Sequence, residues 1–480
     1  MRFDNSYARL PDRFYTRTSP VAVAAPRMLK FNQALADELG LELPTDEQTR
    51  AKIFTGNLNP EGGEPLALAY AGHQFGHFNP QLGDGRAVLI GEIVARDGRR
   101  LDMQLKGSGR TPFSRGGDGR AAFGPVLREY LLSEAMHALG VPTTRSLAAA
   151  ATGEAVYREA PLPGAVLTRI ASSHLRIGTF QYFAARGDGE AVRILVDYAI
   201  KRLYPHLEGA ANPALALMEA VVEAQAKLIA KWLSIGFIHG VMNTDNTSIS
   251  GETIDYGPCA FVDAYDHMAV FSSIDAQGRY AYANQPPIGQ WNLARFAETL
   301  LGVIDDDKDR AVEQATKRLE AFMPAFHAHW TRLMRAKLGL LVEEEGDTQL
   351  ANDLFNAMHA SKADFTLTFR TLPAHMEADA SSEEDSPEMS AWLAAWRARH
   401  ERERQSPEAR RALMESVNPI FIPRNHRVEQ ALELATRGDF TAFDRLLSAV
   451  SRPFDVRADM IELAQGPRPD ERVLQTFCGT

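Results

Sequence analysis

The segment from residue 83 to residue 106 commits this chain to a β-hairpin before anything else in it is considered. Gly83-Asp84-Gly85-Arg86 opens the apolar run 86–94, Asp97-Gly98 supplies a hairpin turn, and residues 101–106 return with strict alternation. Leu101, Met103 and Leu105 fall on one face and Asp102, Gln104 and Lys106 on the other, because strand side chains alternate with period two. Lys106 therefore leaves the apolar face with its ammonium available to an anion. A solvated edge-strand lysine is the competing reading, and the glycine turns on both sides favour a cleft.

Those turns repeat. Gly83-Asp84-Gly85-Arg86, Lys106-Gly107-Ser108-Gly109-Arg110 and Gly116-Gly117-Asp118-Gly119-Arg120 together suggest a basic, glycine-rich cradle for phosphates. Glycine lets backbone N–H groups approach phosphate oxygens closely, and arginine adds a planar donor fork. An amphipathic helix follows over about 123–139, stopped by Gly140 and Pro142. Its Glu129, 23 residues after Lys106, stands at a spacing suited to a strand-to-helix Lys–Glu pair that orients a phosphate-binding lysine. Glu134 reads as surface charge. Arg169 and Arg176 lie seven residues apart, two turns if the segment is helical, and solvent exposure is their bland alternative. Leu217, Val221, Ala224, Leu228 and Trp232 form the packing stripe of a longer helix that delivers the loop beginning at His239.

That loop reads His-Gly-Val-Met-Asn-Thr-Asp-Asn over 239–246. Protein kinases carry H-R-D-x-x-x-x-N, with the catalytic base five residues before a metal-binding Asn. Counting back from Asn246 lands on Val241. A carboxylate survives at Asp245, and Asp255-Tyr256-Gly257 stands where a second metal-binding Asp-aromatic-Gly belongs. Asn246 and Asp255 are hard oxygen donors suited to Mg2+ or Mn2+ bridging nucleotide phosphates. An Asx turn and a turn cap are the bland readings, and the order of both residues after a His-Gly loop favours metal. The expected fold class is α+β: a two-lobed, protein-kinase-like fold with a small β-rich lobe, a larger helical lobe and added segments at both ends. Expected boundaries are a wrap over 1–60, a small lobe over 61–185, a helical lobe over 186–335 and a helical extension over 336–480.

Composition fits such a unit. At 480 residues, 45% hydrophobic and 24% charged, the chain is long enough for two lobes and an extension. A net charge of −10 argues against broad binding to nucleic acid or an anionic membrane, so any nucleotide must be held locally. Two cysteines, Cys259 and Cys478, are too few for a disulfide framework, and the first residues lack both a signal-peptide core and a spanning helix, which points to the cytoplasm. Cys259 lies four residues beyond Asp255 and Cys478 near the carboxyl end, so the two read as an oxidation-dependent pair, with inert burial of Cys259 as the alternative. His73 and His77 have an i, i+4 spacing but glycines interrupt any helix there and no third ligand is evident. Asp305-Asp306-Asp307 reads as a solvated loop, 377–388 as an acidic linker and 396–411 as an exposed charged helix.

The combined motifs resemble the selenoprotein O family, also called the YdiU family, of kinase-like protein adenylyltransferases. The resemblance runs through AGHQFGHFNPQLGDGRA, QLKGSGRTPFSRGGDGRA, LTRIASSHLRIGTFQYF, HGVMNTDNTSI, DYGPCAF, QPPIGQWNL and NPIFIPRNHRVEQAL. It implies that ATP binds inverted relative to ordinary kinases and that AMP passes to Ser, Thr or Tyr hydroxyls of proteins, the enzyme itself included; transfer of UMP from UTP is also associated with the family. Carried over by position, Gly83, Gly85, Arg86, Lys106, Asp118, Gly119, Arg169, Arg176 and Asp255 would bind nucleotide, Asn246 and Asp255 would hold the metal, and Asp245 would accept the proton. The family often has selenocysteine near its carboxyl end, where this chain has Cys478. An orthodox kinase with Asp245 as base and a noncatalytic nucleotide-binding scaffold are the alternatives; Val241 argues against the first, and the Lys, Asn and Asp set against the second.

Overall fold

A computed structural model describes residues 1–376 and 386–477. Most of the acidic stretch read as a linker, and Cys478, lie outside the described residues.

The hairpin of the glycine-bounded segment forms the middle of a larger sheet. Its strands in chain order are β1 (Tyr15–Arg17), β2 (Arg27–Phe31), β3 (Leu66–Leu68), a separate hairpin of β4 (Gly72–Gln74) and β5 (His77–Asn79), β6 (Ala87–Val94), β7 (Arg100–Lys106), β8 (Ala121–Ala122), β9 (Arg145–Tyr157) and β10 (Pro161–Ala171). The main sheet runs β1-β3-β6-β7-β10-β9-β2, antiparallel throughout, with β8 paired to β10. Residues before 60 thus supply both edge strands. β7 is interior, so Lys106 is not an edge-strand lysine.

Each face of the sheet is covered by different helices. Leu101, Met103 and Leu105 pack with Leu35, Ile53 and Phe54 of α1 (Gln33–Leu39) and α2 (Glu47–Thr55). The opposite face packs against α3 (Phe123–Ala138), which in turn carries the helices Asn425–Thr436 and Thr441–Val450 of the carboxyl segment. The alternation of β7 therefore separates two buried faces: Asp102 and Gln104 are 4% and 0% exposed. α3 stops as its sequence signals direct, at Gly140 with φ 74° before Pro142. Glu134 corrects the surface reading, since it is buried and accepts from Arg145, Asn32 and the Ser146 amide.

The larger region is helical. α4 (Ile177–Ala184), α5 (Gly189–Leu203), α6 (Pro213–Ser234) and α7 (Gln285–Ile304) share one core. α6 begins with Asn212 capping the Leu215 amide and Pro213 in its first turn, and its stripe is buried as expected except at Ala224, which is half-buried. It leads directly into β11 (Phe237–Ile238), paired with β12 (Ala260–Phe261); these two short strands clamp the loop from His239 to Cys259 at both ends. The charged helix expected at 396–411 is two helices, Pro387–His400 and Pro407–Val417, and Trp396 is fully buried, stacked on Trp392. Asp305 pairs with Arg310 while Asp307 caps the helix Lys308–Glu320. No helix among the described residues is long and apolar enough to cross a membrane.

Candidate active site

The sheet, the glycine-rich segment 113–120 and the loop 239–259 meet at a cleft of about 610 Å³. Gly83, Gly85, Arg86, Lys106, Asp118, Gly119, Arg169, Asp245, Asn246 and Asp255 all line it. Positions spread over 172 residues of sequence thus converge on one volume. Arg176 is the exception among the expected nucleotide and metal residues: it is buried behind the wall, its guanidinium 4.2 Å over the ring of Tyr70, which does line the cleft.

The inner end is an ionic cluster. Lys106 Nζ donates to Glu129 Oε2 at 2.6 Å, the pair anticipated from their spacing, and also to Asp255 Oδ1. Arg169 Nη1 reaches the same Asp255 oxygen at 2.9 Å and Glu129 Oε1 at 3.2 Å. Two cations and two carboxylates alternate, which is how buried charges are tolerated. Burial opposes ionisation of Asp255, but Lys106, Arg169 and Arg176 together hold it well below the ordinary carboxylate range. Arg169 is fixed from behind: its Nε donates to Gln104 Oε1 at 2.8 Å, and Gln104 Nε2 donates to Asp84 Oδ2 at 3.0 Å. Asp84 also accepts from the Leu68 amide, and burial pushes its carboxyl up to about 6. Arg169 and Arg176 are not helical neighbours. One lies on β10 and the other precedes α4, and the turn between them lets both face the same interior.

The glycine turns shape the wall. Gly83 (φ 67°) and Gly119 (φ 67°) occupy left-handed backbone, and a methyl group on Gly119 would fall 2.1 Å from the Gly109 carbonyl oxygen, so only glycine fits this crossing. Asp118 is half-buried at the rim and paired with Arg158 Nη1 at 2.8 Å. Arg158, with Arg86 and Arg120, makes the rim strongly basic.

At the other end stands the loop with Val241. Its side chain lines the cleft where a kinase base would be, and its amide donates to His239 Nδ1 at 3.3 Å. Asp245 is 7% exposed, and burial pushes its carboxyl up to about 6, against the pull of Arg176 and a hydrogen bond from Gln74. Asn246 Nδ2 donates to the Val241 carbonyl at 3.0 Å. Asp255 sits at φ 65°, an uncommon conformation for a non-glycine residue that holds its carboxylate toward Lys106 and the cleft. Among the described residues Asp255 Oδ2 takes no hydrogen bond. The amide oxygen of Asn246 and this carboxylate oxygen form a hard donor set that fits a divalent cation of the Mg2+ or Mn2+ type.

Sequence reasoning missed Asp84, Gln104, Tyr70, Gln74 and Asn243. Asp84 lies inside the first glycine motif and Gln104 one alternation step from Lys106, so a signal existed; what it lacked was burial. Cys259 is fully buried beside Pro258, whose carbonyl accepts from Thr476 Oγ1, so the carboxyl end passes next to this cysteine.

The family model for protein adenylyltransferase SelO matches residues 1–451. The chain is similar at 60% identity to a protein nucleotidyltransferase YdiU of Rhizobium etli (strain CIAT 652), over 100% of this chain and 97% of that protein. It matches proteins of the same name from Rhizobium meliloti at 60% and Bradyrhizobium sp. (strain ORS 278) at 59%, covering 99% of each. A match of this length, on a chain whose kinase-like cleft has valine at the base position and converging basic residues, shows that the chain belongs to the SelO family of protein adenylyltransferases.

Proposed function

We propose that this enzyme transfers AMP from ATP to Ser, Thr or Tyr hydroxyls of proteins, itself included, with release of pyrophosphate. UTP is the alternative donor. The observation that carries this reading is the split between the two ends of the cleft. Lys106 and Arg169 gather at the inner end around Asp255 and Glu129, while Asp245 stands in the loop of Val241, its carbonyl accepting from Arg176 Nη1 at 3.0 Å behind the wall. A triphosphate with its γ end against the cations leaves the α-phosphorus beside Asn246, Asp255 and Asp245. A divalent cation bound by Asn246 and Asp255 would neutralise phosphate charge and stabilise the leaving pyrophosphate.

The chain's own residues supply the rest. Arg86, Lys106 and Arg169 hold the phosphates, Arg176 adds positive charge from behind the wall, Glu129 and Gln104 hold Lys106 and Arg169 in place, and Gly83, Gly85 and Gly119 let backbone amides approach. Asp245 accepts the proton of the attacking hydroxyl. The work is positioning and charge neutralisation. Incubation with ATP labelled on either phosphate, with Mg2+ or Mn2+, tests this. Label from the α-phosphate enters protein and γ-label does not; incorporation of γ-label alone would establish phosphoryl transfer instead.

A further inference from the structure

The small hairpin β4–β5 is bound to the loop that carries Asp245. His73 N donates to Thr244 Oγ1 at 2.7 Å, Gln74 Nε2 to Asp245 Oδ2 at 3.2 Å and Phe75 N to Asn243 Oδ1 at 3.1 Å. Three consecutive residues thus engage three consecutive residues. The contact is braced from outside: Thr244 Oγ1 donates to Gln181 Oε1 at 2.6 Å, Gln181 Nε2 meets His73 Nδ1 at 2.8 Å, and Tyr280 Oη donates to Asn243 Oδ1 at 2.6 Å. His73, which the i, i+4 spacing offered as a metal ligand, is a link in this brace.

Gly72 closes it. A methyl group there would lie 2.4 Å from Asp245 Oδ1, and Gly72 does not occupy left-handed backbone, so the requirement is for space alone. Asp245 Oδ1 is buried without a hydrogen-bond partner, walled off by Gly72. The oxygen left to serve the cleft is Oδ2, which Gln74 holds, and Gln74 and Phe75 themselves line the cleft. A carboxylate oxygen has more than one lone-pair site, so Gln74 fixes its direction and leaves room for a second donor.

We infer that the hairpin Gly72–Asn79 is the positioning element for the acceptor hydroxyl, with Gln74 aiming Asp245 Oδ2 at it and Gly72 setting the depth of the carboxylate. This rests on Asp245 as proton acceptor. In the step so arranged, the acceptor O–H bond breaks with its proton passing to Oδ2, the acceptor oxygen bonds to the α-phosphorus, and the bond from that phosphorus to the bridging oxygen of pyrophosphate breaks. Gln74 is a positioning residue, since it acts through Asp245.

The test compares side chains of one length on the full-length enzyme: Gln74→Met, which removes the donor, and Gln74→Glu, which sets a second carboxylate against Asp245. Turnover at saturating ATP, the calorimetric Kd for a nonhydrolysable ATP analogue and the melting temperature are measured on each, beside Asp245→Ala. Expected is a loss of turnover of about tenfold to a hundredfold for Gln74→Met and more for Gln74→Glu, the scale of an ångström-sized misplacement. Nucleotide Kd and melting temperature stay near those of the parent. Gly72→Ala should lower turnover in the same way, and where it does not fold, the Gln74 pair alone decides. Unchanged turnover in both Gln74 variants with Asp245→Ala inactive overturns the hairpin's role and leaves the base in place. A Kd that rises and a melting temperature that falls in step with turnover overturn it in favour of a packing role. Full turnover in Asp245→Ala removes the base and the inference together.

Discussion

Asp255 is the residue on which most of the site depends, because one of its oxygens takes both Lys106 and Arg169 while the other remains available. Asp255→Ala should lower AMP transfer by at least about a hundredfold and Lys106→Ala comparably, since each removes charge that the phosphates or the metal require. Both variants should keep the parent circular dichroism spectrum. Activity within about twofold of the parent in a folded variant would take that residue out of the proposed site. At this scale the sequence was informative where chemistry and spacing coincide: Lys106 and Glu129 meet as their separation suggested. It was silent where burial decides. Alternation placed Gln104 beside Lys106 in facing but not in depth, and only the packing of α3 over that face turns a polar strand position into the support of Arg169. A second prediction concerns His400, which donates from Nε2 to the Leu338 carbonyl and accepts from Arg410 at Nδ1, and which burial, with Arg410 and Arg399, lowers to about 4. The unfolded chain takes up this proton near pH 6.5 and the folded one only near 4, so the site's stability is complete above 6.5 and is lost as pH falls to 4. Between pH 7.5 and 4.5 the parent should lose about 2–3 kcal/mol relative to His400→Gln in denaturant titrations. A constant difference would mean that His400 is not held neutral.

Elements remote in sequence are tied by a few buried charges. Arg424, fully buried, pairs with Asp263 at 2.8 Å and Asp364 at 2.7 Å and donates to the Ala464 carbonyl, joining the carboxyl helices to the segment just after β12. Arg424→Met leaves two carboxylates facing each other, both partly solvated, and should destabilise the fold by about 3 kcal/mol. Urea titration measures it, and an unshifted midpoint would show the pairs to be dispensable. Helices with strong signals were legible as elements: α3 ends at its Gly-Pro stop and α6 buries its stripe. Their assembly was not. Nothing in residues 1–60 announces that they form both edges of the sheet, because strand pairing across such distances leaves no local periodicity. The helix bearing Trp396 misled for a similar reason, since its flanking charges describe one face and the buried indole the other.

For the whole molecule the question is which way the nucleotide lies. The kinase-like order of motifs was legible along the chain, and so was the valine where a base should be; the depth of Arg169 and Arg176 was not, because solvent exposure is the usual fate of an arginine and only the fold buries both. Those buried guanidiniums support the proposed inverted triphosphate. Arg169 stands with Lys106 among Glu129 and Asp255, and Arg176 Nη1 donates to the Asp245 carbonyl at 3.0 Å, so buried positive charge runs from the Lys106 cluster to the loop of Asp245. The most direct measurement is a crystal structure with a nonhydrolysable ATP analogue and Mg2+. The account predicts the γ-phosphate against Lys106 and Arg169, with the α-phosphorus next to Asn246 and Asp255 and open to Asp245. A γ-phosphate lying beside Asp245, with the α-phosphate held by the inner cations, would contradict it.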